Sequence, residues 1–286
     1  MRRASPIVIA AFAAVALFRA GPADAGRSCS AEWVCIEAVE RDDHIDIFAR
    51  NLQPYSVTVT VRARTRNLRA GGGNPATRTV AGHERIRFMR LSRIDEDRGW
   101  RYRYDYDWAV GNLSPRHDDD YVYRLPLAGD RSFRVLQGFD SGFTHNGLEE
   151  FTVDFDVPVG TPVFAAREGV VARLEESNDR SCFADGCGRY ANFIVILHAD
   201  GTTGEYYHLD EGGALVEVGD TVRRGQQIGL SGNTGNSTMP HLHFGVYRAD
   251  TWGQTQSLPI RFMTSDGIID RPRRGRWYGV ADRAGS

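Results

Sequence analysis

Lysine is absent from this 286-residue sequence, and all 35 of its basic side chains are arginine. A chain without lysine cannot form a lysine Schiff base, and it cannot carry a cofactor attached to a lysine side chain. The formal net charge of −2 is mildly acidic, which does not favour nucleic acid as a partner. The absence of lysine excludes lysine-dependent catalysis, and the net charge argues against nucleic acid binding.

Two other features are missing. No His-Glu-x-x-His segment occurs in the sequence, so the helical zinc site of the thermolysin type is excluded. No long helical period occurs between Trp33 and Tyr123. Short strand-like segments dominate instead, which predicts an all-β protein.

The N-terminal segment has the pattern of a secretory signal. Arg2 and Arg3 precede an apolar run over residues 7–18, and residues 23–25 read Ala-Asp-Ala, a small-x-small cleavage site. The apolar run is too short for a convincing transmembrane span. We therefore predict that residues 1–25 are a removable signal and that the protein is exported, periplasmic or secreted, with no stable membrane anchor after cleavage.

Four cysteines occur as two close pairs in the sequence. In an exported protein, local disulfides joining Cys29 to Cys35 and Cys182 to Cys187 are favoured among the three pairings. A structural zinc site built from all four is the alternative, but neither pair has the Cys-x-x-Cys spacing.

Residues 26–126 predict a small N-terminal β-sandwich, immunoglobulin-like in type, because short strands follow one another between turn signals. Within it, residues 100–108 alternate aromatic and charged side chains. That alternation favours a strand with its rings in the core over a carbohydrate-binding platform. The sandwich has no catalytic pattern, and we expect it to serve a protein partner or to position the rest of the chain.

Residues 127–265 predict a second strand-rich domain, and residues 266–286 a C-terminal tail. The tail contains four arginines between positions 271 and 276, which we interpret as a solvated arm. The boundary before residue 127 rests on a Leu-Pro-Leu-Ala-Gly-Asp stretch that interrupts the strand pattern.

The most informative segment of the second domain is His241-Leu242-His243. In a strand, alternate side chains face the same way, so both histidines share one face while the intervening Leu242 and then Phe244 lie on the other. One histidine could instead cap a hydrogen-bond network while the other lies on the surface. A small polar loop over residues 231–237 precedes the pair and leaves its face open to a substrate.

A catalytic zinc requires three protein ligands and an open position, so two histidines would need partners from elsewhere in the domain. The candidates are His145, between two glycines; Asp154 or Asp156, at a predicted strand; and His208. From the residues alone, each of these also fits an ordinary structural role.

In combination, the motifs resemble the LytM or lysostaphin type of zinc metallopeptidase, family M23, over roughly residues 133–250. The matching segments are His145, residues 154–171 with Asp-x-x-x-Pro-x-Gly-Thr-Pro-Val, residues 206–209 with Tyr-x-His-Leu, residues 219–235, and residues 241–244 with His-Leu-His-Phe.

The resemblance implies an antiparallel β-sheet peptidase domain that binds Zn²⁺ through His145, Asp154 and His243. It also implies that His208 and His241 are a catalytic pair outside the ligand set, with the general-base and oxyanion roles not divided between them. Many family members space the first two ligands as His-x-x-x-Asp, whereas eight residues separate them here. Asp156 is the alternative ligand, and the spacing to Pro158 favours Asp154.

The activity implied is hydrolysis of peptide cross-links in bacterial peptidoglycan by zinc-activated water. A second function class is a non-enzymatic wall-binding regulator, but relatives of that kind lose zinc ligands that this chain retains. A metalloprotease acting on Gly-rich proteins is a third, since zinc chemistry does not specify the amide. A lipoyl- or biotinyl-type hairpin, suggested by residues 218–229, lacks its acceptor lysine.

Overall fold

The computed structural model describes residues 26–30 and 32–281. The predicted signal, residues 1–25, lies outside the described residues. Among the described residues, no helix is long and apolar enough to cross a membrane.

The N-terminal half consists of antiparallel strands that form two sheets. Their bounds are β1 (Arg27–Ser30), β2 (Val34–Glu40), β3 (His44–Asn51), β4 (Val57–Arg66), β5 (Leu68–Gly71), β6 (Ala76–Val80), β7 (Arg85–Arg93) and β8 (Arg101–Val110). One sheet has the order β1-β2-β3-β7-β5 and the other β6-β4-β8. Both sheets contribute side chains to one shared apolar core.

Strand β8 confirms the alternation argument for residues 100–108. Tyr104 and Tyr106 are buried in this core, whereas Arg101 and Arg103 are exposed. The rings therefore serve packing, and the segment is a strand rather than a carbohydrate platform.

The second half contains the remaining strands and the short 3₁₀ helices of the described chain. The strands are β9 (Val122–Arg124), β10 (Ser132–Gln137), β11 (Val153–Asp156), β12 (Pro162–Phe164), β13 (Gly169–Glu175), β14 (Ser181–Cys182), β15 (Phe193–Leu197), β16 (Thr203–Tyr207), β17 (Leu209–Ala214), β18 (Thr221–Val222), β19 (Gln227–Ser231), β20 (Gly235–Asn236), β21 (Leu242–Ala249), β22 (Thr255–Ser257), β23 (Arg261–Thr264), β24 (Gly267–Ile269) and β25 (Trp277–Gly279). The 3₁₀ helices are Gly147–Glu149, Cys187–Tyr190 and Thr251–Gly253.

A large antiparallel sheet organises this half, in the order β18-β13-β15-β16-β21-β11-β10-β25, with β22 added beside β21. One of its faces packs with the small sheet β12-β19-β17 over a second apolar core. Leu242, Phe244 and Val246 of β21 are fully buried there, as the sequence predicted. The alternate residues of β21 therefore face the opposite side of the sheet.

The two cores divide the chain earlier than we predicted. Strand β9 pairs in parallel with β23, and its Tyr123 belongs to the second core together with Leu125. The sequence pattern places residues up to 126 in the first domain, because residues 121–125 resemble one more strand of the same series. Sequence pattern identifies a strand but does not identify its pairing partner.

The C-terminal segment also differs from the prediction of a free tail. Strand β24 pairs with β23, and β25 pairs with β10 at the edge of the large sheet. The side chains of Arg271, Arg273 and Arg274 are exposed, as expected for a solvated arm. The backbone around them is nevertheless fixed, since Gly275 donates to the Val135 carbonyl at 2.8 Å.

The disulfides are the local ones that the sequence predicted. Cys29 is bonded to Cys35 across the β1-β2 hairpin, and Cys182 is bonded to Cys187. The described chain has no free cysteine, which removes the four-cysteine zinc site.

Candidate active site

The site is built on the face of the large sheet opposite its core. Strands β11 and β21 are antiparallel neighbours, and their register places Asp154 directly opposite His243. Val153 and Phe155, on either side of Asp154, point into the core. The pleat therefore fixes the carboxylate and the imidazole on one face, where His243 Nδ1 lies 2.8 Å from Asp154 Oδ1.

His145 reaches the same carboxylate from the loop that follows β10. Its side chain is fully buried, and its Nδ1 lies 3.2 Å from the carbonyl oxygen of Gly138. A carbonyl only accepts, so Nδ1 carries the proton and Nε2 carries a lone pair. That Nε2 lies 3.1 Å from Asp154 Oδ1 but has no hydrogen-bond partner of acceptable geometry.

The donor atoms of His145, Asp154 and His243 all lie within 4.8 Å of one another. Two imidazoles and a carboxylate are ligands that zinc prefers, at about 2.0–2.2 Å. The unpartnered Nε2 of His145 faces an oxygen that is also electron-rich, an arrangement that a cation between them resolves. The residues present therefore fit a zinc ion.

The charges around this cluster favour a cation. Burial raises the pKa of Asp154, but the facing imidazoles, His145 and His241 foremost, outweigh burial and hold that pKa well below its usual value. Burial lowers the pKa of His243, but Asp154 and Glu149 raise it to about 10. The carboxylates of Asp154 and Glu149 thus favour positive charge at this cluster.

His208 lies between β16 and β17, where the chain leaves the large sheet for the small one. Its backbone has a φ of +64°, a conformation that non-glycine residues rarely adopt. Its Nδ1 donates to the Thr234 carbonyl at 2.7 Å, which leaves the Nε2 lone pair free. Burial and the neighbouring imidazoles of His241 and His243 lower the pKa of His208 to about 3.

His241 precedes β21 and stands beside His208, with 4.5 Å between the ring centroids. Its Nδ1 donates to the Met239 carbonyl at 2.8 Å, and its Nε2 lies 3.9 Å from Asp154 Oδ1. Both His208 and His241 are therefore held as the tautomer whose unprotonated Nε2 is available. They form a second histidine group next to the His145, Asp154 and His243 cluster.

A cavity of about 290 Å³ contains both groups. Two exposed rings, Phe143 and Phe183, stack at its mouth with centroids 5.8 Å apart. Phe143 precedes His145, while Phe183 lies in the loop closed by the Cys182–Cys187 disulfide. The cleft thus has an apolar rim and a floor of titratable side chains.

The structure separates the two aspartates that the sequence left as alternatives. Asp154 lies in the cluster, whereas Asp156 lies away from it, 3.9 Å from the guanidinium of Arg134. His44 and His117 contact neighbouring aspartates in surface regions of the chain. All five predicted site residues therefore converge on one cleft.

Three residues that sequence reasoning missed support the cluster. Gln137 donates to Asp154 Oδ2 at 2.7 Å. Tyr247 Oη lies 3.1 Å from His243 Nε2 and donates to Glu149 Oε2 at 2.7 Å. Tyr247 could have been found, because residues 243 and 247 share a face of one strand; nothing in the sequence pairs Glu149 or Gln137 with the site.

Known proteins resemble this half of the chain. Residues 149–256 match peptidase family M23. The peptidoglycan DD-endopeptidase ShyA of Vibrio cholerae is 42% identical over 126 residues, which are 42% of this chain and 26% of that protein. The glycyl-glycine endopeptidase ALE-1 of Staphylococcus capitis is 37% identical over 123 residues, which are 43% of this chain and 31% of that protein.

A solved structure also aligns with this region. The catalytic domain of lysostaphin from Staphylococcus simulans is 34% identical and covers 45% of this chain and 86% of that domain, with a TM-score of 0.31. Each of these three alignments covers less than half of this chain. The aligned region spans between a quarter and a third of the two curated relatives just named.

Proposed function

Because the chain contains a peptidase family M23 domain, we propose that it is a zinc-dependent endopeptidase that hydrolyses the peptide cross-links of bacterial peptidoglycan. The observation that carries this proposal is the convergence of His145, Asp154 and His243 on one point, with two further histidines beside them. The names of the two curated relatives, one a peptidoglycan DD-endopeptidase, support the substrate class.

His145, through Nε2, Asp154 and His243, through Nδ1, would hold the zinc ion. When bound, zinc supplies Lewis acidity and lowers the pKa of a coordinated water to about 7. The protein keeps the ligand nitrogens unprotonated through the carbonyl of Gly138 behind His145 and the hydroxyl of Tyr247 behind His243. The carboxylate of Asp154 supplies the negative charge that completes the site.

His208 and His241 carry the proton transfers. Each is fixed by a backbone carbonyl on Nδ1, so each can accept a proton at Nε2. Once protonated, either ring can donate a hydrogen bond to an oxyanion or return the proton to the leaving amine. The apolar rim at Phe143 and Phe183 limits water around the reacting amide.

Export places this activity where its substrate is. The N-terminal segment has the pattern of a secretory signal, and both disulfides suit an oxidising compartment. We therefore propose a periplasmic or secreted location, with peptidoglycan peptide as the main partner.

Glycine-rich substrates are the second candidate, favoured by the similarity to a glycyl-glycine endopeptidase. The experiment that decides is digestion of purified sacculi by the mature protein, with and without a chelator, with fragments identified by mass. D-amino-acid cross-links should be cut, and Asp154→Asn, which keeps the shape but removes the charge, should release nothing.

Cleavage only of glycine bridges, or of a glycine-rich protein, would select the second candidate. No chelator-sensitive release from any sacculus would reject the enzyme and leave a non-enzymatic wall-binding regulator.

A further inference from the structure

The segment between His145 and Asp154 is longer than His-x-x-x-Asp, and the structure shows what the extra residues contribute. They form the 3₁₀ helix Gly147–Glu149 and turn the Glu149 side chain inward. Glu149 is only 8% exposed although it is a carboxylate. A buried carboxylate requires a partner.

That partner is the hydroxyl of Tyr247, and the direction of the hydrogen bond can be assigned. A carboxylate accepts only, so Tyr247 Oη donates its proton to Glu149 Oε2 at 2.7 Å. Tyr247 Oη is then left as an acceptor for the Nε2–H of His243, 3.1 Å away. A proton on Nε2 leaves Nδ1 as the nitrogen that faces Asp154 and the ligand cluster.

Gly245 makes this arrangement sterically possible. It lies between His243 and Tyr247 on the same face of β21, and a Cβ there would come within 2.8 Å of the Tyr247 ring and of the Thr152 methyl. The tyrosine ring occupies the space that a side chain at position 245 would fill. Its hydroxyl can therefore reach back along the strand to the imidazole.

We propose that Glu149 and Tyr247 are positioning residues that fix the tautomer and orientation of His243, so that Nδ1 is presented to the metal. The inference rests on the proposed function insofar as it assumes a zinc ion at the cluster. Outer contacts of this kind are worth about 10–100-fold in metal affinity when they are removed. Neither residue touches the reacting atoms.

The same cavity wall offers a matched pair as a control. Tyr207 Oη donates to Glu205 Oε2 at 2.9 Å, and both residues are largely buried, like Tyr247 and Glu149. The Tyr207 hydroxyl makes no hydrogen bond to a ligand histidine in the described chain. Loss of a buried hydroxyl can thus be separated from loss of contact with His243.

The test measures zinc affinity by competition with a chelator in the full-length mature protein. Tyr247→Phe should weaken zinc binding about 10–100-fold, and Tyr207→Phe should leave it within about threefold of the wild type. Glu149→Gln should also weaken binding, because an amide can hydrogen-bond in either sense and no longer fixes the hydroxyl, whereas Glu205→Gln should not. The ring ¹⁵N shifts of His243 in zinc-loaded protein should show Nδ1 bound to the metal and Nε2 protonated in the wild type, and the Nε2–H proton should exchange faster with water in Tyr247→Phe, because it loses its acceptor.

Wild-type affinity in both Tyr247→Phe and Glu149→Gln would overturn the inference, as would an equal loss in Tyr207→Phe. If Tyr247→Phe does not fold, the comparison of zinc affinity between Glu149→Gln and Glu205→Gln tests the inference by itself. Zinc affinity is measured without substrate, so failure to cleave sacculi would count against the proposed function and not against this inference.

Discussion

The left-handed backbone at His208 aims an imidazole into the cleft from the end of a strand. Its replacement by asparagine is informative, because asparagine tolerates that backbone and retains a side-chain N–H for the Thr234 carbonyl. We expect His208→Asn to lower the turnover rate by about 10²-fold or more. Zinc content should change little, since His208 is not in the ligand cluster.

Metal analysis together with the rate of cross-link cleavage checks this prediction. Turnover equal to that of the wild type would remove His208 from the catalytic pair. Loss of zinc in His208→Asn would instead make it a ligand.

His198 makes a separate contribution, to stability. Burial, with the nearby Arg167 guanidinium, lowers its pKa from 6.5 to about 4, although the Glu168 carbonyl and the Asp200 and Glu168 carboxylates act in the opposite direction. The unfolded chain therefore binds more protons between these values, so stability rises with pH from about 4 to about 6.5.

Across this pH range, the His198 pKa shift changes the free energy of unfolding by about 3 kcal/mol. His198→Asn, which keeps a donor for the Glu168 carbonyl, should flatten the pH dependence of the unfolding free energy over that range. Denaturant unfolding at several pH values measures it, and parallel curves for variant and wild type would show that His198 is not the group responsible.

Strand β21 joins the core and the site in one element, since Phe244 packs in the core and the preceding residue, His243, faces the cleft. Phe244 contacts the rings of Tyr206 and Phe262 at centroid distances of 4.9 and 6.0 Å. Phe244→Ala should destabilise the fold by about 3–5 kcal/mol through the cavity that it leaves.

The matched control is Phe143→Ala. The Phe143 ring is 60% exposed at the cleft mouth, so its removal should change the free energy of unfolding by no more than about 0.5 kcal/mol. Chemical denaturation compares the two variants. Similar losses in both would contradict the packing of Phe244 in the core.

The sequence could predict β21 and its neighbours because strand alternation is a local rule. It placed Leu242 in the core and His243 opposite it without any knowledge of the fold. It could not predict that Glu149 reaches Tyr247, since that contact joins residues 98 positions apart through the pairing of β11 with β21. It also could not place β9 with the second core, because pairing partners depend on the whole topology.

At the scale of the molecule, the two halves meet beside the site. Arg173 of β13 lies near the rings of Trp33 and Trp108 from the N-terminal half and of Phe193 from the large sheet, 5.1–5.9 Å from each centroid. Phe193 in turn packs against Tyr207 on the site face. The N-terminal half therefore contacts the sheet that holds the cleft.

We expect Trp108→Ala to lower the unfolding temperature of both halves, since it removes a ring stacked on Trp33 at 4.3 Å and near Arg173. Trp100→Ala is the control, because Trp100 packs on the N-terminal core and near Arg93. Calorimetry should show the half that contains the cleft destabilised only in Trp108→Ala. Equal behaviour of the two variants would mean that the interface does not couple the halves.

We expect His241 and His243, although only two residues apart, to have different functions. The measurement is the zinc content of His241→Ala and His243→Ala after removal of metal and dialysis against limiting zinc. We predict about one zinc ion per chain in His241→Ala, with cleavage of cross-links lost, and almost none in His243→Ala. Equal zinc content in the two variants, whether high or low, would contradict this prediction.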